Sequence, residues 1–403
     1  MRRISFEMPL PESVTAVLKT LSDASYPAYV VGGSVRDAVM GLMPNDFDIA
    51  TSASPQQVTA LFSATHRVIE TGLKHGTVTV MCACGPVEIT TFRLDGDYLD
   101  GRRPQSVTFA PALDMDLQRR DFTVNAFAYR PGEGVLDYFD GLTDIRRKVI
   151  RCIGDAEKRF SEDALRILRA LRFAAKLDFD IAPETAQALV KLRLLLDKIS
   201  AERICAELMK MFATPYAARL AHLLSDYRAV MTQILPETAE IADYEAVCRN
   251  TACVPAEREL RLIYYIACAG NVQKTAKKLR FSNALSKRAS RIAEVLLRGE
   301  RVTDLHEARV LVHEYGEEAC LDAAKILAAI GTNTALYPLV SEIAGRGDCV
   351  TLGQLAVGGS DLLALGIEPA RIGRLLEQTL QHVMRDEWTN TRAELLKNVK
   401  NIF

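Results

Sequence analysis

What most limits the folds open to this chain is a change in its hydrophobic period near residue 145. Before that point, strand-length apolar runs alternate with short amphipathic ones. "AYVVGG" reads as a short strand ended by glycines. "SVRDAVMGL" reads as a short helix capped by Ser34 and closed by Gly41. "FDIAT" reads as a strand, and "SPQQVTALF" opens with Ser-Pro, a helix-start signature. "GTVTVMCACGPVEITTFR" reads as two strands joined by a turn at Gly85-Pro86. After residue 145 the strand signals nearly vanish. "SEDALRILRALRFAAKL" is strongly amphipathic, with Ser161 as the expected N-cap and Glu162-Asp163 in the first helical turn. Helical stretches such as "APETAQALVKLRLLL" and "ARIGRLLEQTLQHVMRD" continue to the end, with no fixed-period repeat and no low-complexity segment. The expected class is α+β: a mixed-sheet head, then an all-helical remainder.

The chain has 403 residues, enough for two to four domains, and its 49% apolar and 25% charged content is ordinary for a soluble globular protein. No apolar run approaches the about 18 residues of a membrane span. The start, "MRRISFEMPLPESV", lacks the apolar stretch of a secretory signal, so the expected location is the cytoplasm, with no membrane partner. The nine cysteines form no CxxC pair, so reduced, mostly buried thiols are expected rather than a disulfide framework or zinc site. The formal net charge is −1, but the positive charge is localised. Residues 146–176 hold ten Lys/Arg against four Asp/Glu, and residues 274–301 hold nine against two. Localised positive charge is the footprint of a phosphate-rich partner, although solvated helix faces also produce such runs.

The chemistry centres on "PNDFDIATSA". Strand side chains alternate, so Asp46 and Asp48 share one face while Phe47 and Ile49 take the other. Two carboxylates so placed can share a hard cation such as Mg²⁺. With phosphates present, two ions roughly 3.5–4 Å apart can clamp the attacking and leaving oxygens. Upstream, "YVVGGSVRD" sets two glycines between a strand and a helix start, where backbone amides can hold a phosphate. Gly32 and Gly33 would let a triphosphate approach, and Arg36, one turn in, would pair with it. Glu88, in "VEITTF", falls on a candidate neighbouring strand as a metal ligand, a base for a hydroxyl, or a structural salt-bridge partner.

These motifs carry a resemblance. "GGSVRD" followed by "DFDIATSA" resembles motif A of the polymerase-β-type nucleotidyltransferases. "RRDFTVNAFAY" resembles the second motif of the tRNA nucleotidyltransferase and poly(A) polymerase family, and "EDALRILRALRF" its nucleotide-selecting helix. "GGSDLLALGIEPARIGRLLEQTL" resembles the tail of bacterial class II CCA-adding enzymes. The resemblance spans nearly the whole chain. It implies a nucleotidyltransferase head over 1–145, a neck with nucleotide-selecting helices over 146–200, a helical body over 201–290 and a tRNA-binding tail over 291–403. It implies tRNA, CTP and ATP as partners, with no DNA, and Mg²⁺ held by Asp46 and Asp48. Gly33 and Arg36 would bind the triphosphate, Arg120 the nucleotide, and Asp163 with Arg166 the Watson–Crick edge of the incoming base, without a template. Arg169 and Arg172 continue that row along the helix and would lie nearer the phosphates or primer. The polar stretch "RLDGDYLDGRRP" resembles the loop that lets such a pocket switch from C to A, which CC-only enzymes lack. No HD dipeptide is present, so a fused HD-type phosphohydrolase domain is not expected. The second basic block and the low aromatic content (7%) suit RNA backbone and shape recognition rather than base stacking. The remaining alternatives are a poly(A) polymerase, against which the compact, mildly basic end "RAELLKNVKNIF" counts, an A-only or CC-only enzyme, and an inactive RNA-binding protein. Oligomeric state is not legible in the chain.

Overall fold

A computed structural model describes residues 1–403 apart from 45, 74–75, 96–106, 258 and 403. The loop stretch expected at 93–104 therefore lies largely outside the described residues. Among the described residues the head holds ten strands: β1 (Arg2–Ile4), β2 (Ala28–Val31), β3 (Asp48–Thr51), β4 (Arg67–Gly72), β5 (Thr77–Cys82), β6 (Gly85–Thr91), β7 (Arg93–Asp95), β8 (Val107–Phe109), β9 (Phe127–Arg130) and β10 (Gly134–Asp137). Eight of them form one mixed sheet, in the order β1-β10-β9-β2-β3-β6-β5-β4, while β7 and β8 pair separately.

The pleat sorts the apolar residues onto two faces. On one side Val30, Ile49, Ile89, Tyr129 and Val135 pack against Val14, Val17, Leu18 and Leu21 of α1 (Glu12–Asp23). The short helix α2 (Gly33–Val39) adds Val35, and α3 (Pro55–Phe62) adds Val58 and Phe62. On the other side Val31, Ala50, Ala128 and Leu136 meet Leu113 and Leu117 of α4 (Leu113–Gln118). The expected α3 start holds in full: Pro55 is the first helical residue, and Ser54 and Gln57 form a reciprocal capping box.

Two head boundaries differ from expectation. Gly32 (φ +81°) caps α2, so Ser34 lies inside the helix, buried, and donates to the Val31 carbonyl at 3.3 Å. The β5–β6 turn is Ala83-Cys84; Cys82 pairs with Gly85, and Pro86 is already in β6. A two-residue connection closes this hairpin before the Gly-Pro signal is reached.

Past the head come α5 (Gly141–Arg147), α6 (Ala156–Glu162), α7 (Leu165–Leu177), α8 (Pro183–Lys191) and α9 (Ala201–Phe212). The only described strands here are two residues long, Val149–Ile150 pairing in parallel with Asp180–Ile181. The expected single helix over "SEDALRILRALRFAAKL" is two. Asp155, not Ser161, caps a helix start, accepting from the Glu157 and Lys158 amides. Ser161 sits inside α6 and donates to the Glu157 carbonyl. The chain breaks at Asp163-Ala164, so Asp163 precedes α7 instead of lying in its first turn.

The chain divides into two compact units: Met1–Arg219 with Asp226–Ile234, and Leu220–Ser225 with Leu235–Phe403. The second is all helical among its described residues. Ser282 caps its helix Asn283–Gly299 through the Leu285 amide, at the expected Ser-Asn break. No described helix is long and apolar enough to cross a membrane. None of the nine cysteines is in a disulfide, but only Cys152, Cys248 and Cys320 are fully buried, whereas Cys84 and Cys253 are exposed. The expectation of mostly buried thiols therefore does not hold, because several cysteines sit at turns and helix ends.

Candidate active site

The first unit contains a cavity of about 430 Å³ between the end of the β2–α2 turn, the 119–125 segment and α7. Of the residues singled out by sequence, Gly32, Gly33, Arg36, Asp48, Arg120, Asp163, Arg166 and Arg169 line it.

At one end stands the acidic strand. Phe47 and Ile49 are buried in the core while Asp46 and Asp48 are exposed; β3 begins only at Asp48, so Asp46 and Phe47 precede the expected strand although their burial still alternates. Asp48 lies beside Glu88 in the parallel β3–β6 register, so both side chains leave the same face of the sheet. Asp48 touches solvent, but protein crowds it from most directions, and this loss of water raises its carboxyl above the ordinary value. Glu88 and then Asp46 push it up further, while Arg120 pulls it down. Among the described residues no three acidic, His or Cys side chains converge closely enough to hold an ion. The donor set still fits a hard divalent cation: all oxygen, carrying like charges whose repulsion a cation relieves.

The arginines at the cavity are held by partners. Arg36 is buried; its Nε and Nη2 donate to Asp37 at 2.8 and 2.6 Å, and its Nη1 to Asn125 Oδ1 at 2.5 Å. Asn125 in turn donates to Asp121 Oδ1 at 3.2 Å. Asp121 Oδ2 accepts from Arg169 Nε and Nη2 at 2.7 and 2.5 Å. A chain of charge-assisted bonds therefore joins α2 to α7. Burial pushes the Asp121 carboxyl up, but the charge and hydrogen bonds of Arg169, with Asn125, outweigh it and hold it below its usual value. Phe173 lies under three guanidiniums, with Arg36, Arg169 and Arg172 at 5.4, 5.3 and 4.0 Å from its centroid.

Arg120 reaches back to Gly32. A Cβ there would come within 2.9 Å of Arg120 Nη1, and φ of +81° independently favours glycine. Its Nη2 donates to Asp116 at 3.4 Å. Burial lowers its pKa, opposed by Asp116 and Asp48, but a guanidinium stays charged at any physiological pH. Its Nε is buried without a hydrogen-bond partner among the described residues.

At the other end, Asp163 sits in the α6–α7 break. Its Oδ1 accepts from the Leu165 amide at 3.1 Å and its Oδ2 from Arg203 Nη2 at 2.9 Å. Arg166 is buried and donates to the Arg159 and Arg119 carbonyls, both at 3.0 Å, and to Glu162 at 2.7 Å. Asp46, Glu88 and Arg172 do not line the cavity. Arg172 instead ties α7 to α9 through Glu207 at 2.5 Å.

The motifs now have a common geometry, and the chain can be compared with known proteins. The model for the poly A polymerase head domain matches residues 28–151, that for "Probable RNA and SrmB- binding site of polymerase A" residues 178–241, and that for tRNA nucleotidyltransferase domain 2 residues 259–399. The CCA-adding enzyme of Lactobacillus delbrueckii subsp. bulgaricus is 36% identical over 388 residues, covering 94% of this chain and 95% of its own. The chain belongs to the CCA-adding enzyme family. It is a nucleotidyltransferase. Among solved structures, the Bacillus stearothermophilus CCA-adding enzyme in complex with CTP superposes with a TM-score of 0.81 at 31% identity, covering 97% of each chain. The Thermotoga maritima CCA-adding enzyme complexed with tRNA shares the fold, with a TM-score of 0.71 at 21% identity over 100% of this chain and 98% of that one.

In this CCA-adding enzyme family member, several cavity residues were not singled out by sequence. Asp121 and Asn125 lie within the quoted "RRDFTVNAFAY", and Phe173 within the quoted α7 stretch, but nothing marked their roles. Arg203 carried no local signal, because its partner Asp163 is 40 residues away.

Proposed function

We propose that this chain adds CCA to the 3′ end of tRNA without a nucleic-acid template, using CTP twice and then ATP. The observation that carries this reading is one cavity with a metal-type carboxylate at one end, a carboxylate–guanidinium pair at the other, and fixed arginines between. Its volume of about 430 Å³ lies in the range of small-ligand sites. The terminal 3′-hydroxyl of the tRNA attacks the α-phosphate of the bound nucleotide, and pyrophosphate leaves. Gly32 and Gly33 admit the triphosphate, and Arg36 and Arg120 hold it; the orphaned Arg120 Nε supplies a donor that a phosphate oxygen satisfies. Asp46 and Asp48 would hold Mg²⁺, which when bound would supply charge neutralisation for the phosphoryl transfer. Glu88 serves either as a third carboxylate or as a base for the hydroxyl.

Asp163 and Arg166 read the base. A carboxylate accepts from the exocyclic amino groups of cytosine and adenine, while a guanidinium donates to their ring acceptors. Uracil and guanine present a carbonyl where the carboxylate needs a donor. Arg169 keeps α7 in place through Asp121, and Arg172 does so through Glu207. The first unit supplies the head over 1–145 and the neck over 146–200. The body over 201–290 and tail over 291–403 carry the second basic block, where exposed Lys277, Lys278, Lys287 and Arg291 suit the tRNA backbone.

The test is purified protein with Mg²⁺, labelled CTP, ATP, UTP or GTP, and tRNA lacking its last three nucleotides. Incorporation of C, C and A followed by arrest is expected. Long A-tracts on any RNA would identify a poly(A) polymerase, and A added only to tRNA already ending in CC an A-only enzyme. Absence of all incorporation would refute catalysis at this site.

A further inference from the structure

Asp163 carries the base reading proposed above, yet its own segment fixes only one of its two carboxylate oxygens. It lies in the two-residue break between α6 and α7, where its backbone amide donates to the Arg159 carbonyl at 3.4 Å and its carbonyl accepts from the Arg166 amide at 3.0 Å. One carboxylate oxygen is engaged locally, by the Leu165 amide at 3.1 Å. The other is held from a distant part of the chain. Arg203, in the first turn of α9, donates through Nη2 to Asp163 Oδ2 at 2.9 Å. α9 packs against α7 and is fixed to it by the Arg172–Glu207 pair, so Arg203 is presented from a rigid support. Its guanidinium lines the cavity with Asp163 and Arg166. Its Nη1 is buried and has no hydrogen-bond partner among the described residues.

We propose that Arg203 is a positioning residue that sets base selectivity by aiming the Asp163 carboxylate at the Watson–Crick edge. This rests on the base-reading role given to Asp163. A carboxylate rejects uracil and guanine only while its acceptor face points at their carbonyl oxygens. One free to turn about its side-chain bonds swings aside and lets them in. The planar Arg203 fork removes that freedom, and a lysine ammonium, a point charge without fixed directions, does so less well. The unpaired Nη1 gives the fork a reason to stay turned toward the cavity, since a base acceptor satisfies a buried donor that is otherwise orphaned. Arg203 acts through Asp163, so its effect on selectivity vanishes once Asp163 is gone.

The experiment is a double-mutant cycle in the full chain: wild type, Arg203→Gln, Asp163→Ala and the double variant, with Arg203→Lys as the conservative partner. Each is assayed for kcat and KM with CTP and UTP on tRNA lacking its CCA, and each is melted as a folding control. Arg203→Gln is expected to lower the CTP-over-UTP ratio of kcat/KM about tenfold with KM for tRNA unchanged, and Arg203→Lys to recover part of that loss. In the Asp163→Ala background the same change is expected to move the ratio less than about twofold. A folded Arg203→Gln with wild-type selectivity overturns the proposal, and so does an effect that multiplies fully with that of Asp163→Ala. Should Arg203→Gln not fold, Arg203→Lys carries the test with an expected loss of about threefold; unchanged selectivity there overturns it. A wild-type enzyme that does not prefer CTP to UTP would instead refute the base-reading role itself.

Discussion

The two basic regions of the chain hold their charge in opposite ways. In the first unit the arginines of α2 and α7 are tied down: Arg36 to Asp37 and Asn125, Arg166 to Glu162, Arg169 to Asp121, Arg172 to Glu207. In the second unit Lys277, Lys278, Lys287 and Arg291 stand exposed on their helices. A guanidinium locked by carboxylates on its other side offers a fixed direction and suits one small, oriented ligand. An exposed lysine on a flexible stem offers charge without direction and suits a repeating phosphate backbone. Positive charge alone thus distinguishes neither role; the partners of each cation do.

The largest effect that sharpens this contrast is at the acidic end of the cavity. Asp48→Ala is expected to reduce incorporation of both CTP and ATP to background while tRNA affinity, measured by filter binding, stays near wild type. Next comes Asp121→Asn, which leaves Arg169 without its counter-ion. A fully buried pair broken this way costs about 3–5 kcal/mol; 33% of the Arg169 side chain reaches solvent, so about 2 kcal/mol is expected by denaturant unfolding. The pH dependence has a definite sign. Asp121 is held below its ordinary value of 3.8, so its contribution is complete above that pH and is lost as pH falls below it. Unfolding of the wild type should steepen with acid in that window, and Asp121→Asn should flatten it.

Smaller effects separate the regions further. Asp163→Ala is expected to raise relative use of UTP or GTP by about tenfold while the KM for CTP changes less, because only the base edge loses its partner. Lys277→Glu should weaken tRNA binding at low salt, lower the salt slope by about one, and leave nucleotide selectivity unaltered. Ser54→Ala removes a cap remote from both regions and should cost about 1 kcal/mol of stability with no change in incorporation.

The parts of this arrangement visible in the sequence are those encoded locally. The alternation of buried Phe47 and Ile49 with exposed Asp46 and Asp48 is legible from the residue types, although the strand itself begins only at Asp48, and the Ser54-Pro55 helix start needs only its own side chains. The glycine turn is also local, because Gly32 takes a positive φ that few other residues adopt. What stayed hidden depends on distance along the chain. The break at Asp163 was masked by an amphipathic pattern that continues across the two residues between α6 and α7, and Asp155, upstream of the stretch read, supplies the cap. The Arg203–Asp163, Arg172–Glu207 and Arg169–Asp121 pairs join residues 35 to 48 apart, which no period or spacing rule connects. The hairpin turn was misplaced because Gly-Pro is a strong turn signal, whereas register between β5 and β6 decides where the chain reverses.

The central claim is that a single cavity, with its cations fixed in direction, serves both CTP and ATP. Calorimetric competition on the full chain tests it most directly: CTP and ATP titrated separately and then against each other, with UTP as the control. The account predicts one site per chain, mutual displacement of CTP and ATP, and far weaker binding of UTP. Simultaneous binding of CTP and ATP to one chain, or displacement of both by UTP with equal strength, would contradict it.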